Sequence, residues 1–266
     1  MKILVPMAGA GSRFVKAGYD LHKPVIPVSD RRRPRKLPMV VAAVMDLPID
    51  PAAPENDLIF IVRDFHVRDG VCAIIRDHFP RARFITVDQL TDGQACTCLL
   101  ARDAIDSDEP LMITACDNGM ELPPGAFAGM AGAGAVIFTF RGNEAVQQNP
   151  KAYGWIRTDG DKATGVSIKQ PISATPMADH AVVGTFWFAK GRDFVRAADA
   201  MIAANDRINN EFYVDQVFKY LIADGTDVRV LETARYLCWG TPEDYEAYER
   251  TLAYWADFLT REEEGR

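Results

Sequence analysis

Apolar, strand-like runs alternate with helical stretches through the first half of the chain. The runs are KILVP, DLIFIVR, RFITV, PLMITAC and AVIFTF, and they are β-branched or aromatic almost throughout. Helical stretches at residues 38–47, 66–79 and 93–105 separate them. Strands this apolar are covered on both faces, as in sheets that carry helices on either side. The alternation therefore predicts an α/β fold with a mostly parallel sheet flanked by helices.

After Phe140 the pattern becomes β-rich. Residues 153–169 form two strand-like runs around an Asp-Gly-Asp turn, which is typical of a β-hairpin, and residues 180–189 form another strand. Helical stretches follow at 191–204 and 211–225, and a final amphipathic helix runs from about Pro242 to Leu259. Without a repeat or a linker, residues 1–266 are predicted to form one domain with an inserted β-rich subregion.

Composition and charge exclude several classes of protein. The net charge of −7 argues against a nucleic-acid partner. No apolar run is long enough to span a bilayer, and the MKILVP start is too short for a signal peptide. Five cysteines without C-x-x-C spacing indicate reduced thiols in a cytoplasm rather than a metal site. The basic stretch DRRRPRK at 30–36 is interpreted as a solvated loop, with phosphate or partner contact as the alternative.

The first strand ends in the loop Ala8-Gly9-Ala10-Gly11-Ser12-Arg13. Glycines without a Cβ let backbone N–H groups approach anionic oxygens. Phe14 occupies the third glycine position of the dinucleotide motif, and no Gly-Lys-Ser/Thr follows, so neither that motif nor the P-loop is matched. Arg13 and Lys23 flank the loop with two cations, which suits a triphosphate. The alternatives are a merely tight turn and a surface lysine.

Two aspartates are candidate ligands of a metal ion. Asp117 ends the fourth strand in ITACDNGM, where the ligands of open α/β sheets collect. Asp215, early in the helix of NNEFYVDQVF, is the best second carboxylate. Mg²⁺ takes one or two carboxylates together with substrate phosphates. The alternative for Asp117 is an Asx-type turn with the following Asn-Gly.

These motifs, taken in order, resemble the sugar-phosphate nucleotidylyltransferases, including those like glucose-1-phosphate thymidylyltransferase. The similarity extends from Lys2 to about Tyr248 and rests on the following stretches: PMAGAGSRF…HKPVIPV, DGQACTCLLA, ITACDNG, YGWI, NNEFYVDQVF and WGTPEDYEAYE. The resemblance implies a single domain related to type A glycosyltransferases, with about residues 1–140 binding the nucleotide and about 141–266 the acceptor. It also implies Mg²⁺-dependent transfer of a nucleotide from an NTP to a phosphorylated acceptor, with release of pyrophosphate.

The resemblance also implies a role for particular residues. Arg13 would bind the departing phosphates, Lys23 would stabilise charge at the α-phosphorus, and Asp117 with Asp215 would hold the metal. The residues implied at the nucleotide are Ala8, Gly9, Ala10, Gly11, Gln89, Gly93 and Gln94. Those implied at the acceptor are Tyr153, Gly154, Lys169 and Gly184.

The chain departs from this family where sugar-recognising members carry Glu-Lys-Pro. Here the segment is SIKQP, so that Lys169 stands in the position of the acid and Gln170 in that of the lysine. Because neighbouring strand residues point to opposite faces, Lys169 cannot replace the missing lysine without a bulge. Lys169 is interpreted either as facing an acidic or electron-rich acceptor or as a solvated residue.

Other functions stay open at this stage. A cytidylyltransferase of a non-sugar phosphate is one alternative. A glycosyltransferase of the same fold is another, although CDNG holds one acid where Asp-x-Asp is expected. A catalytically silent homologue is the third, although Arg13, Lys23, Asp117 and Asp215 are all present. The base, the acceptor and self-association are not determined by the sequence.

Overall fold

The structure is a computed structural model and describes residues 1–264. The strands of this part of the chain are β1 Lys2–Pro6, β2 Pro27–Ser29, β3 Lys36–Pro38, β4 Asp57–Arg63, β5 Arg83–Val87, β6 Leu111–Ile113, β7 Asn118–Glu121, β8 Ala135–Phe140, β9 Gly154–Asp159, β10 Lys162–Ile168, β11 His180–Phe188, β12 Val228–Glu232 and β13 Arg235–Cys238. The α-helices are α1 Ser12–Lys16, α2 Met39–Met45, α3 Asp64–Arg68, α4 Val71–His78, α5 Gln94–Leu99, α6 Arg102–Ile105, α7 Ala145–Gln148, α8 Gly191–Ala203, α9 Val214–Ala223 and α10 Pro242–Glu264. Short 3₁₀ turns occupy Lys23–Val25, Ala128–Met130, Pro150–Ala152 and Pro176–Ala178.

A nine-stranded sheet with the order β5-β4-β1-β6-β11-β8-β12-β10-β9 forms the centre of the fold. The strands β5, β4, β1 and β6 are parallel to one another, and β12 is parallel to β8. The strand β11 runs antiparallel to both of its neighbours, β6 and β8. Two small sheets, β7–β13 and β2–β3, lie beside the large one.

The prediction of an α/β domain is confirmed, but the prediction of a mostly parallel sheet is wrong for the second half of the chain. The hairpin β9–β10 was expected as an insertion beside the sheet. Instead β10 pairs with β12, and β9 pairs with β11 through His180↔Ile156 and Ala181↔Trp155. The strands β11, β8, β12, β10 and β9 therefore close into a ring of five. Antiparallel neighbours can be joined by a short turn, as β9 and β10 are, whereas β11 and β12 are joined through α8 and α9.

Two predicted helices are each divided in two. Gly70 separates α3 from α4 with a left-handed backbone, φ 81°, which interrupts the expected helix over 66–79. The stretch 93–105 contains α5 and α6 with a break at Leu100 and Ala101. Glycine adopts this left-handed conformation without steric cost.

The core lies on both faces of the sheet, as the apolar strands predicted. Alternate residues of β1 enter different clusters: Ile3 and Val5 pack on one face, and Leu4 on the other. The first face is covered by α2 and α4, and the second by α5, α8 and α9. Among the residues described, no helix is both long and apolar enough to cross a membrane.

His66 is a buried histidine at the start of α3, with 2% of its surface exposed. The Nδ1 atom of its ring accepts a hydrogen bond from the backbone N–H of Arg63 at 3.2 Å. Burial, together with His22 and Arg63, lowers the pKa of His66 to about 4. An unfolded histidine titrates near pH 6.5, so the folded state loses stability as the pH falls from about 6.5 to about 4 and keeps it above that range.

We expect His66→Gln to weaken this pH dependence. Glutamine can accept the same hydrogen bond, as in a capping box, but it does not titrate. Between pH 7.5 and pH 4.5, urea unfolding will show that the wild type loses about 2 kcal/mol more stability than the variant. The exposed His78, changed to Gln, serves as the control. An equal loss in the wild type and in His66→Gln would contradict the prediction.

Candidate active site

A cavity of about 470 Å³ opens at the carboxyl ends of β1 and β6. It is bounded by the opening loop, by residues 90–94, by the start of β7 and by residues after β13. On the far side it reaches Tyr153, Lys169 and the start of α9. A second cavity of about 240 Å³ adjoins it and shares Gly9, Gln94 and Asp117. Most residues that the sequence selected, from distant parts of the chain, therefore line these two cavities.

The opening loop lies between the two cavities. Ala8, Gly9 and Arg13 line the larger one, and Ala10 and Gly11 line the smaller one. Gly11 has a left-handed backbone, φ 59°, and a Cβ added there would lie 3.6 Å from the Cβ of Lys23. The loop therefore packs directly on the segment that carries the second predicted cation.

Lys23 and Asp117 form an ion pair at the shared wall of the cavities. The Nζ atom of Lys23 donates to Oδ2 of Asp117 at 2.6 Å and to the carbonyl oxygen of Gly240 at 2.8 Å. Burial alone would lower the pKa of Lys23, but the attraction of Asp117 and its neighbours raises it above the usual value. Lys23 is therefore a charged residue that lines the smaller cavity rather than a surface lysine. Asp117 forms an ion pair and does not serve only as a turn residue.

The stretch predicted as a solvated basic loop is in part a buried clamp. Arg31, with 12% of its side chain exposed, donates to both carboxylate oxygens of Asp46, at 2.9 and 3.0 Å, and to Glu121 at 2.5 Å. Asp46 also accepts the backbone N–H of Met120 at 3.1 Å. Since Met120 and Glu121 belong to β7, which follows Asp117 directly, this clamp fixes the strand behind the ion pair.

The loop before α5 is held by backbone contact with residue 212. Gly93 has φ 123°, and a Cβ there would lie 2.5 Å from the backbone nitrogen of Phe212. The carbonyl of Asp92 accepts from that nitrogen at 2.8 Å. Gly93 and Gln94 line the larger cavity, whereas Gln89 is exposed and lines neither cavity. Of the three base-side residues, the structure thus brings two to the site.

Asp215 lies at the acceptor end of the larger cavity, in the first turn of α9. Its carboxylate packs so closely on Gly154 that a Cβ at that position would collide with it. Burial raises the pKa of Asp215 to about 6, although the positive charge of Lys169 acts in the opposite direction. The close approach explains why glycine follows Tyr153, whose ring also lines this cavity.

Lys169 lies one residue past the end of β10, with φ 59°. The strand alternation that the sequence reasoning applied to it is therefore wrong, because a left-handed residue outside a strand does not follow that alternation. Its Nζ atom donates to the carbonyl of Ala152 and lies 5.3 Å from the centre of the Tyr213 ring. Burial lowers the pKa of Lys169, while Asp215 and Glu211 oppose this effect. The side chain lines the cavity.

Gly184 lines the cavity from an irregular point of β11. The register of β11 against β8 shifts between Val182 and Phe186, and Gly184 has φ 97°. A Cβ there would lie 3.4 Å from Ala115, next to Asn118, whose amide donates to the carbonyl of Val183 at 2.7 Å. The irregularity lets β11 approach the start of β7.

The sequence reasoning missed the role of the turn after β13. It interpreted Thr241 as the cap of the last helix, and the structure confirms this: the Thr241 hydroxyl accepts the N–H of Asp244 at 3.2 Å and donates to its carboxylate at 2.8 Å. Both residues and Cys238 also line the larger cavity. The Cys238 thiol lies 3.3 Å from the Asp244 carboxylate. The WGTPED motif within the family resemblance was the available signal.

Asp117 and Asp215, the carboxylates that the sequence analysis selected as metal ligands, are brought to the same site. They line one cavity, and both are carboxylates in partly buried positions. The described residues contain no cluster of three or more His, Cys, Asp or Glu side chains that could hold a metal unaided. Mg²⁺ does not need such a cluster, because it completes its coordination with substrate phosphates and water.

The chain resembles known proteins in its three-dimensional structure and not in its sequence. No protein-family model matches the chain, and no curated protein matches its sequence. Solved structures do match it. A nucleoside-diphosphate-sugar pyrophosphorylase from Vibrio cholerae RC9 is 20% identical with a TM-score of 0.73, over 93% of this chain and 99% of that one.

Two further solved structures match over nearly the whole chain. A glucose-1-phosphate thymidylyltransferase from Bacillus anthracis is 17% identical with a TM-score of 0.71, over 95% of each chain. An inositol-1-phosphate CTP transferase from T. maritima is 13% identical with a TM-score of 0.65, over 93% of each chain. The chain therefore has the fold of the nucleotidyltransferases, and the resemblance to sugar-phosphate nucleotidylyltransferases is confirmed at the level of the fold.

We expect Arg31→Ala to destabilise the protein by about 2–3 kcal/mol, because it removes the bidentate partner of the buried Asp46 and leaves that carboxylate only Arg32, at 3.2 Å, and the N–H of Met120, at 3.1 Å. Arg33→Ala, in the same loop but exposed, is the matched control and will change stability by about 0.5 kcal/mol or less. Urea unfolding of the three proteins at pH 7.5 measures both values. Equal stabilities of the two variants would show that the basic loop is solvated throughout.

Proposed function

We propose that this chain is a nucleotidylyltransferase, which transfers a nucleoside monophosphate from an NTP to a phosphorylated acceptor and releases pyrophosphate. A sugar 1-phosphate is the first acceptor proposed, and the product is then an NDP-sugar. The observation that carries the proposal is the ion pair of Lys23 and Asp117 at the wall shared by the two cavities, where Asp117 lines both cavities and Lys23 lines the smaller one. The names of the structural neighbours support it.

The reaction needs positioning and charge stabilisation rather than a protein nucleophile. An oxygen of the acceptor phosphate attacks the α-phosphorus in line, and the bond from that phosphorus to the pyrophosphate oxygen breaks. The backbone of Gly9–Gly11 and the guanidinium of Arg13 hold the departing phosphates. An ammonium group has three donors. Within the described residues two donors of Lys23 are engaged, so the third can meet an α-phosphate oxygen.

Magnesium belongs to the proposal as well. Asp117 and Asp215 would hold it, and Mg²⁺ when bound supplies positive charge that offsets the repulsion between two phosphorylated substrates. The raised pKa of Asp215 marks a carboxylate that lacks full compensation for its buried charge.

The acceptor end of the site is formed by Tyr153, Gly154, Lys169 and Gly184. Activated sugars of this kind, made in the cytoplasm, supply the synthesis of surface polysaccharides.

A second candidate differs in its acceptor: a cytidylyltransferase of an acidic or non-sugar phosphate. The position of Lys169 favours it, because a partly buried ammonium group faces the cavity where sugar-specific family members carry an acid. One structural neighbour is an inositol-1-phosphate CTP transferase. Lys169 offers donors to an electron-rich group of the acceptor, whereas an acid would accept bonds from sugar hydroxyls.

The function is tested by pyrophosphate release with each NTP, Mg²⁺ and a panel of sugar phosphates and other phosphorylated metabolites. We expect one pairing to release pyrophosphate. With that pairing, Lys23→Met and Asp117→Asn will each lower kcat/KM by about 10²-fold or more, since the first removes a cation at the reacting phosphate and the second removes a proposed ligand of the metal ion. The exposed Lys151, changed to Met, is the control.

Each outcome of this assay separates the proposal from its rivals. A glycosyltransferase of the same fold or a silent homologue will release no pyrophosphate with any pairing. Activity that survives in both Lys23→Met and Asp117→Asn would place the reaction elsewhere in the molecule. Loss of activity on removal of Mg²⁺ with a chelator, restored by added Mg²⁺, supports the metal assignment.

We expect Lys169→Glu to change which acceptors react. If Lys169 meets an acidic group, the variant will lose about tenfold or more in kcat/KM on acidic acceptors, because a like charge replaces an opposite one. Its activity on neutral sugar phosphates will be kept or increased. Lys169→Gln, which removes the charge without reversing it, serves as the matched control. Unchanged preference across the acceptor panel would show that Lys169 has no role in recognition.

A further inference from the structure

The second half of α10 presents an exposed apolar strip, made of Tyr254, Trp255, Phe258 and Leu259. Their exposed fractions are 64%, 53%, 43% and 59%. The ring centres of Tyr254 and Trp255 are 5.5 Å apart, and those of Trp255 and Phe258 are 5.7 Å apart. The exposed area is on the order of 500 Å², a size at which a contiguous apolar patch marks an interaction surface.

The first half of α10 is anchored on the segment that leads into the basic loop of residues 30–36. Tyr248 donates to the carbonyl of Ser29 at 2.8 Å. The carboxylate of Glu249 accepts from the Ser29 backbone at 2.7 Å and from Lys36 at 2.8 Å. The basic loop therefore contacts α10 at residue 249.

A groove of about 690 Å³ runs between this basic loop and the apolar strip. Arg33 and Arg35 form one wall, and Trp255 and Leu259 form the other. Arg35 pairs with Asp30 at 2.9 Å, whereas Arg33 is exposed and has no ion-pair partner among the residues described. A basic wall beside an apolar one fits a partner that presents apolar and acidic groups side by side.

We propose that the partner is a second copy of this chain, with the two α10 helices packed antiparallel. Leu252 and Leu259 bound the apolar stretch, so its midpoint falls between residues 255 and 256. A two-fold axis at that point makes position 249 of one copy face position 262 of the other. The helix continues to Glu264, and the sequence at 262–264 is Glu-Glu-Glu. The acidic end of one α10 thus reaches the level of the basic loop of its partner.

A second copy explains three features with one contact. The apolar strip buries itself across the axis, the unpaired cation of the basic loop gains a counter-charge, and the acidic helix end gains a cation. A symmetric pair requires this self-complementarity of a single surface. A membrane would not explain it, because anionic headgroups repel the acidic end of the helix. The proposal does not depend on the enzymatic function.

Sedimentation velocity of the full-length protein tests the proposal. We expect a mass of about twice 29.5 kDa for the wild type. Phe258→Asp will weaken dimerisation by about 100-fold or more, because it places a carboxylate in the apolar centre of the interface. Leu100→Asp, a change at a residue 47% exposed on another surface, is the control and will leave the dimer intact.

The charged part of the interface has its own test. Arg33→Glu will weaken dimerisation by about tenfold, and higher salt will reduce this difference. Lys162→Glu, at an exposed lysine of β10, is the matched control. Circular dichroism confirms that each variant is folded. A wild type that stays at 29.5 kDa up to on the order of 100 µM, or a Phe258→Asp variant that dimerises like the wild type, would overturn the proposal.

Discussion

One partly buried ion pair connects segments that line the two cavities. Lys23 reaches Asp117, 94 residues away along the chain, and Gly240, 217 residues away. The backbone N–H of Trp239 also donates to the carbonyl of Asp117 at 3.0 Å. Three separate segments therefore meet at one ammonium group, and the two cavities of the site take their common wall from it. The relative position of these segments is set by this junction rather than by any single loop.

The sequence predicted those elements whose cause is local. The strands β1, β4, β6 and β8 were found because strands buried on both faces are apolar throughout, and the glycine loop was found because only glycine permits close backbone approach. The closed ring of β11, β8, β12, β10 and β9 was not predicted, since the pairing of β9 with β11 depends on where a hairpin folds back in space. The hydrophobic pattern of β9 and β10 does not indicate which strand β9 pairs with.

Among the site residues, too, those with a local sequence signal were predicted and those that depend on the fold were not. Arg13, Lys23, Asp117 and Asp215 lie at motifs with chemical meaning, and the structure brings them to adjoining cavities. The backbone of Lys169 was misjudged, because nothing in SIKQP indicates that β10 ends at Ile168. Arg31 was missed because a run of arginines is usually solvated, and its partner Asp46 is recognisable only once α2 and β7 lie together.

The contact between Gly93 and Phe212 has a mechanical consequence. The loop that carries Gly93 and Gln94 is joined to the segment before α9 by main-chain bonds in both directions, from Phe212 to Asp92 and from Ala95 to Phe212. These two main-chain hydrogen bonds prevent either segment from moving far while the other stays in place. If the site opens or closes around a ligand, the loop of residues 92–95 and the start of α9 are therefore expected to move together, and Asp215 with them.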